Sequence, residues 1–104
     1  MPDYDVFISE PAEDDLREIA RYTSMQLSAP IAAQTILEEA EQALAGLADM
    51  PLCCPLVTDE RLLSMGYRKL HIRNYIAFFT VNEKNKVVDV ERILYARRDW
   101  LHIL

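Results

Sequence analysis

Three side chains that can carry positive charge alternate along one short segment. Lys69, His71 and Arg73 are separated by Leu70 and Ile72. Successive side chains of a β-strand point to opposite faces, so this spacing predicts that the three polar groups share one face. Such a face could hold the phosphates of a nucleic acid or the carboxylates of an acidic peptide. An ordinary solvated sheet face would have the same pattern.

A second group of such side chains lies near the end of the sequence. Arg92, Arg97 and Arg98 carry planar guanidinium groups, which suit paired hydrogen bonds to phosphate or carboxylate. Tyr95 lies between them and offers a phenol that can stack on a base or donate a hydrogen bond. A structural role is equally open, because Arg98 beside Asp99 can form a local ion pair of small energetic weight.

Other catalytic and metal-binding patterns are missing from the sequence. His71 is the only histidine in a predicted element, since His102 lies in the tail, and a single histidine is weak support for a general base. The adjacent Cys53 and Cys54 have no basic neighbour in sequence that would lower a thiol pKa, so we expect a structural role. Because Cys and His are too few for a structural zinc site and no Gly-rich phosphate loop is present, we expect neither a metal nor a cofactor.

The hydrophobic pattern predicts the elements that position these residues. The segment 4–9 is rich in β-branched and aromatic residues, which favours a strand. Apolar residues recur at intervals of three and four over 12–27 and 33–47, as in helices. The junction Ser28-Ala29-Pro30 combines a capping residue with a helix-starting proline and is short enough for a hairpin. The remaining elements are a helical turn at 59–64 and strands at 67–73, 75–82 and 87–95.

The predicted order is β-α-α-β-β-β in one domain over residues 1–104. This order indicates an α+β fold, in which an antiparallel helix hairpin packs on a mainly antiparallel four-stranded sheet. A sheet of this kind buries one face against helices, so we expect its other face to carry the basic residues.

Charge divides the sequence into an acidic and a basic part. Residues 1–60 carry thirteen carboxylates against Arg17 and Arg21, whereas residues 61–104 carry nine basic against four acidic side chains. This asymmetry favours an anionic partner for one face, although each part could simply be solvated. The sequence has no apolar run of about 18 residues and no charged-then-apolar leader, so we expect a cytoplasmic protein without membrane contact.

Over its full length the sequence resembles the RelE/ParE superfamily of bacterial toxins from type II toxin–antitoxin modules. Besides the element order, N-Y-I-A-F-F at 74–79 is similar to the family's N-Y-hydrophobic-x-F-Y run. The segment R-I-L-Y-A-R-R-D at 92–99 looks like the family's ending, and L-A-D-M-P at 47–51 fits the end of its second helix. The resemblance implies a toxin that arrests growth until an antitoxin binds it as a hetero-oligomer.

The superfamily divides by target. RelE-type members cleave messenger RNA in the ribosome without a metal, through attack of a 2′-hydroxyl on the adjacent phosphate. The resemblance makes Arg73, Tyr95 and Arg97 candidates for this chemistry, with His71 a weaker one. ParE-type members inhibit DNA gyrase and have no established bond-breaking chemistry. Candidates for contact with the target or a partner are Lys69, Arg92, Arg97, Arg98 and Trp100.

Two features favour the ParE-like interpretation. RelE-type nucleases tend to have an arginine where this sequence has Ile76, and they tend to be strongly basic, whereas this chain has a net charge of −6. We therefore expect a gyrase inhibitor, and keep a ribosome-dependent endoribonuclease and a non-toxic peptide-binding module as alternatives. The antitoxin is expected to mix apolar anchors with acidic residues and to order on the toxin by helix packing or strand addition.

Overall fold

The computed structural model describes residues 3–97, 100, 103 and 104, apart from the side chain of Cys53. Its elements are β1 (Asp5–Ile8), α1 (Glu10–Arg21), a π-helical turn (Tyr22–Gln26), α2 (Pro30–Gly46), a 3-10 turn (Pro51–Cys53), α3 (Glu60–Ser64), β2 (Arg68–Ile72), β3 (Tyr75–Asn82) and β4 (Val87–Tyr95). The predicted order of strands and long helices is confirmed, and α3 occupies the expected helical turn. None of the helices in these described segments has the length and hydropathy needed to cross a membrane.

The four strands form one mixed sheet in the order β1-β4-β3-β2. β1 pairs with β4 in parallel, and the β4–β3 and β3–β2 pairs are antiparallel. The predicted α+β fold with a mainly antiparallel sheet is therefore confirmed. β3 and β4 occupy the centre, as expected from their apolar sequences, and β2 forms one edge.

The two long helices begin in different ways. At α1, the Ser9 side chain accepts a hydrogen bond from the Ala12 N–H at 3.1 Å, and Pro11 lies in the first turn. At α2, the residue before the helix is Ala29, which has no capping side chain. The capping role predicted for Ser28 is wrong, because Ser28 adopts a positive φ of 50° in the hairpin turn.

The first core lies between the helix hairpin and one face of the sheet. Its buried members are Ala12, Ile19, Ile36, Ala40, Leu44, Leu47, Cys54, Ile72, Ala77, Phe79, Val88, Val90 and Ile93. The burial of Cys54 agrees with the structural role expected for it. These residues follow the helical and strand periodicities of the sequence, so burial of their apolar area fixes the hairpin on the sheet.

The opposite face of the sheet is covered as well. A second core consists of Val57, Leu62, Tyr67, Ile76, Phe78 and Leu94, with Ala96, Trp100, Ile103 and Leu104 packed against it. The expectation that this face is open to solvent is therefore wrong, and Lys69 and His71 lie only at its margin. The physical reason is that β3 is apolar on both faces, so the segment around α3 and the end of the chain fold over it.

One extra residue in β4 makes a β-bulge. Phe78 pairs with Arg92 but the next residue, Phe79, pairs with Val90, which leaves Glu91 without a partner on β3. A bulge bends its strand and frees backbone groups from the ladder. In the sequence, the consecutive polar residues Glu91 and Arg92 interrupt the alternation that a regular strand would show.

Side chains at the start of α1 satisfy the backbone groups beside the bulge. The Ser9 hydroxyl donates to the Glu91 carbonyl at 2.7 Å, and Asp15 Oδ2 accepts from the Ile93 N–H at 3.0 Å. The Asp15 carboxylate also accepts hydrogen bonds from Nε and Nη2 of Arg92, at 2.7 and 2.9 Å. One carboxylate thus takes three hydrogen bonds and joins α1 to β4.

Removal of the Asp15 carboxylate should destabilise the fold far more than removal of its neighbour. We expect Asp15→Ala to lower the free energy of unfolding by about 2–4 kcal/mol, because it leaves the Arg92 charge and the Ile93 N–H unpaired while partly buried. Asp14→Ala breaks only an exposed ion pair with Arg17 and should cost at most about 1 kcal/mol. Urea unfolding of both variants measures the difference, and equal losses would contradict this role for Asp15.

Candidate functional site

Two of the sequence-predicted site residues lie on β2, at the margin of the second core. Lys69 pairs with Phe78 and His71 with Ile76, so both lie on the second-core face of the sheet. Lys69 is half-buried, whereas His71 is exposed. The apolar cover of this face leaves the two polar side chains at its edge instead of at the centre of an open surface.

Arg73 lies outside the strand that was expected to present it. β2 ends at Ile72, and Arg73 has a positive φ of 54° in the turn to β3. Its guanidinium makes two hydrogen bonds to Glu39 of α2, one of them between Nη2 and Oε1 at 2.9 Å. The prediction that Arg73 shares a face with Lys69 and His71 is wrong, because alternation applies only within the strand.

The hydrogen bonds between Arg73 and Glu39 favour the charged forms of both groups. Hydrogen bonding by Arg73 holds the pKa of the Glu39 carboxyl below its usual value, and hydrogen bonding to Glu39 raises the pKa of Arg73. Arg92 is occupied in the same way by Asp15, whose hydrogen bond raises the pKa of that guanidinium. A target phosphate or carboxylate would have to displace these partners to reach either arginine.

The end of β4 carries the other predicted site residues. Tyr95 is exposed, and its ring meets that of Tyr75 edge-on, with 5.8 Å between the centroids. Arg97 is exposed as well. Trp100 packs against Phe78 at a centroid separation of 5.1 Å, which makes it part of the second core. Arg98 lies outside the described residues.

The catalytic candidates come to one end of the sheet without converging on one face. β2 ends, β3 begins and β4 ends there, and the Ala96 N–H donates to the Asn74 carbonyl at 2.8 Å. His71 belongs to the second-core face, Arg73 contacts α2, and Tyr95 contacts Tyr75, which packs on the first core. Acid–base catalysis on a phosphate needs such groups around one reacting atom.

The position that carries an arginine in RelE-type nucleases is closed here. Ile76 is 5% exposed and belongs to the second core. In the described part of the chain, no three His, Cys, Asp or Glu side chains are grouped in a way that could hold a metal ion. At this end of the sheet, Arg73 is held in an ion pair, and Tyr95 and Arg97 are exposed. The neighbouring sheet face is filled by the second core.

Sequence analysis missed the residues that surround Tyr95. Tyr22 and Tyr75 line a cleft with it, and Glu18 adds a carboxylate. The available signal was that Tyr22 lies outside the apolar stripe of its helix, where a large aromatic side chain has no core to fill. Glu18 gave no such signal, because an exposed acidic residue on a helix is common.

An α+β domain with this strand order and helix hairpin is the fold that the resemblance to RelE/ParE toxins implied. The family model described as "ParE toxin of type II toxin-antitoxin system, parDE" matches residues 6–100. The chain therefore belongs to the ParE toxin family of type II toxin–antitoxin systems. No curated protein matches the chain.

Solved structures of toxin–antitoxin complexes have the same fold. A chain of the chromosomal ParDE system from P. aeruginosa matches with a TM-score of 0.75 and 17% identity, covering 91% of this chain and 98% of that one. Chains of the Mycobacterium tuberculosis RelBE2 complex and of the intact E. coli RelBE complex match with TM-scores of 0.61 and 0.63. Both are 18% identical to this chain, and each match covers 91% of this chain and 99% of the other chain.

The ion pair between Arg73 and Glu39 can be tested by titration. We expect Arg73→Gln to raise the pKa of Glu39 back towards its usual value, because the hydrogen bond that lowers it is lost. Lys69→Gln removes the same charge from β2 and should leave that pKa unchanged. Side-chain carboxyl NMR over an acidic pH series measures both, and an equal shift in the two variants would contradict the direct contact.

Proposed function

We propose that this toxin arrests growth by inhibiting DNA gyrase through protein–protein contact, and that a cognate antitoxin neutralises it in the cytoplasm. The observation that carries the proposal is the burial of Ile76 in the second core. Nucleases of the RelE type tend to have an arginine at this place, where its charge can stabilise the phosphate. Here the place belongs to the interior of the protein, and the family match to ParE toxins supports the same target.

The placement of the other candidates supports a binding role over RNA cleavage. Arg73 and Arg92 are held by carboxylates of the helices, so two cations that could stabilise a phosphate are already neutralised. Electrostatic catalysis depends on charges that are preorganised around the reacting group. A net charge of −6 also opposes close approach to ribosomal RNA.

An antitoxin is the second partner that we propose. The structural relatives from P. aeruginosa, M. tuberculosis and E. coli come from toxin–antitoxin systems or complexes. Residues 55–57 already pair with the β2 edge as far as Lys69, whose N–H donates to the Pro55 carbonyl at 3.1 Å, so the strand addition expected for an antitoxin would begin beyond Lys69. His71, two residues further on, presents its backbone at the same edge.

Expression of the chain alone in bacteria should stop DNA synthesis before translation. Pulse labelling after induction measures both rates, and purified protein should inhibit gyrase supercoiling in vitro. Co-expression of the small protein encoded by the neighbouring gene should restore growth. Early loss of translation with cleavage of ribosome-bound messages would replace the gyrase proposal with the ribonuclease, and harmless expression would favour the non-toxic binding module.

Arg97 allows a matched test of the target contact. Arg97→Ala removes an exposed cation at the end of β4, and we expect it to weaken gyrase inhibition by about tenfold, which is typical for one interface arginine. Lys84→Ala removes an exposed cation from the β3–β4 turn at the other end of the sheet and should keep full inhibition. Identical inhibition curves for both variants would remove Arg97 from the interface.

A further inference from the structure

A cleft lies where the last turns of α1 and the π-helical turn meet the ends of β3 and β4. Its volume is about 540 Å³, within the range of roughly 300–1,000 Å³ that ligand pockets commonly have. Side chains of Glu18, Tyr22, Leu27, Tyr75 and Tyr95 line it. Neither the target contact proposed for Arg97 nor strand addition at β2 makes use of it.

Three tyrosine rings give the cleft faces that attract a cation. Tyr75 and Tyr95 meet edge-on, with a 62° angle between their planes, and Tyr22 adds a half-exposed ring on the helix side. Burial raises the pKa of Tyr75, with smaller contributions from Tyr95 and Tyr22, so the Tyr75 phenol stays neutral. The negative face of an aromatic ring attracts guanidinium or ammonium groups.

The charges of the cleft favour a cation too. Asp15 and Glu18 are its two carboxylates, and no Lys or Arg is among the described residues that line it. Arg92 already neutralises Asp15, whereas Glu18 is exposed and has no ion pair with any described residue. A cation that enters therefore meets one carboxylate without a partner and three ring faces. Guanidinium fits best, since it is planar, stacks on rings and forms paired hydrogen bonds to carboxylate.

The surroundings of the cleft indicate that the cation comes from a polypeptide. Met25, Leu27 and Ile31 form the tip of the helix hairpin and are 68, 58 and 81% exposed. Apolar side chains exposed singly are ordinary, but three within seven residues beside a cleft are typical of a contact surface. Tyrosine and arginine are also the residues that most often dominate the energetics of protein interfaces.

The backbone beside the cleft is unusual as well. The segment Tyr22–Gln26 is π-helical, and the Thr23 hydroxyl donates to the Ile19 carbonyl at 2.9 Å. π-helical turns are rare and frequently occur at functional sites. This turn carries both Tyr22, which lines the cleft, and Met25, which lies on the exposed tip.

We propose that this cleft receives an arginine side chain from a partner polypeptide, whose neighbouring apolar residues cover the hairpin tip. Glu18 pairs with the guanidinium, and the tyrosines supply stacking faces. The inference does not depend on whether gyrase is the target. It also modifies the expected chemistry of the partner, because the segment that contacts the hairpin is basic and apolar instead of acidic.

NMR titration of the full ¹⁵N-labelled chain tests the recognition of arginine. The probes are N-acetyl-arginine amide and N-acetyl-citrulline amide, which has nearly the same shape without the charge. We expect the arginine probe to shift the amide signals of Glu18, Tyr22 and Tyr95 with a dissociation constant in about the millimolar range, and citrulline to bind at least about fivefold more weakly. Equal binding of the two probes, or no shifts at these residues, would overturn the proposal.

Variants separate the cleft from a general attraction to an acidic protein. Glu18→Gln and Tyr22→Leu should each weaken binding of the arginine probe severalfold. Glu41→Gln makes the same charge change at an exposed position on α2 outside the cleft and should leave binding unchanged. If Glu41→Gln weakens binding as much as Glu18→Gln, the attraction is not local and the proposal fails.

A tripeptide probe tests whether the occupant is a polypeptide. Acetyl-Leu-Arg-Leu-amide should bind more tightly than the arginine amide and should also shift signals of Met25, Leu27 and Ile31. Its citrulline counterpart should lose most of this gain, since the charge anchors the peptide. Shifts confined to the cleft, with no gain in affinity from the leucines, would show that the hairpin tip takes no part in binding.

Discussion

The position of α1 on the sheet depends on the Asp15 carboxylate. It accepts both donors of the Arg92 fork and the Ile93 N–H beside the β4 bulge, so helix and strand meet at one fixed place. Without an acceptor on α1, the bulge would leave a guanidinium and a backbone donor unsatisfied while partly buried. Glu18 and Tyr22 follow Asp15 by three and seven residues, so they lie on the same side of the helix. The same carboxylate therefore places the helical wall of the cleft against Tyr95.

The second constraint is that β3 is apolar on both faces. Phe79 and Ala77 pack towards the helices, and Phe78 and Ile76 pack towards α3 and the end of the chain. An open concave face would be needed to take an RNA strand between the sheet and its flanking segments. In this protein those segments instead complete a core, and Trp100 seals it against Phe78. This packing supports the proposed binding role more than any single charged residue does.

Local patterns predicted the strands well and the long-range contacts poorly. The bounds of β3 and β4 agree with the prediction, because the apolar runs and the polar turn between them are local signals. The pairing of Arg92 with Asp15 joins positions 77 apart, and no periodicity reports such a contact. The second core was not predicted for a similar reason. The 51–66 segment has no regular hydrophobic pattern, so nothing in it indicated which face of the sheet it would cover. The alternation of polar and apolar residues continues to Arg73, although β2 ends at Ile72, so the predicted face of Arg73 was wrong.

Charge asymmetry along the sequence suggested an anionic partner, but the fold changes that inference. Two of the basic residues in the second half, Arg73 and Arg92, are paired with carboxylates of the helix hairpin. Folding therefore neutralises part of the positive charge counted in the sequence. Carboxylates such as Glu18, which have no described partner, then set the sign of the hairpin surface. A surface of this sign with exposed apolar residues supports the basic, apolar partner segment that we propose for the hairpin.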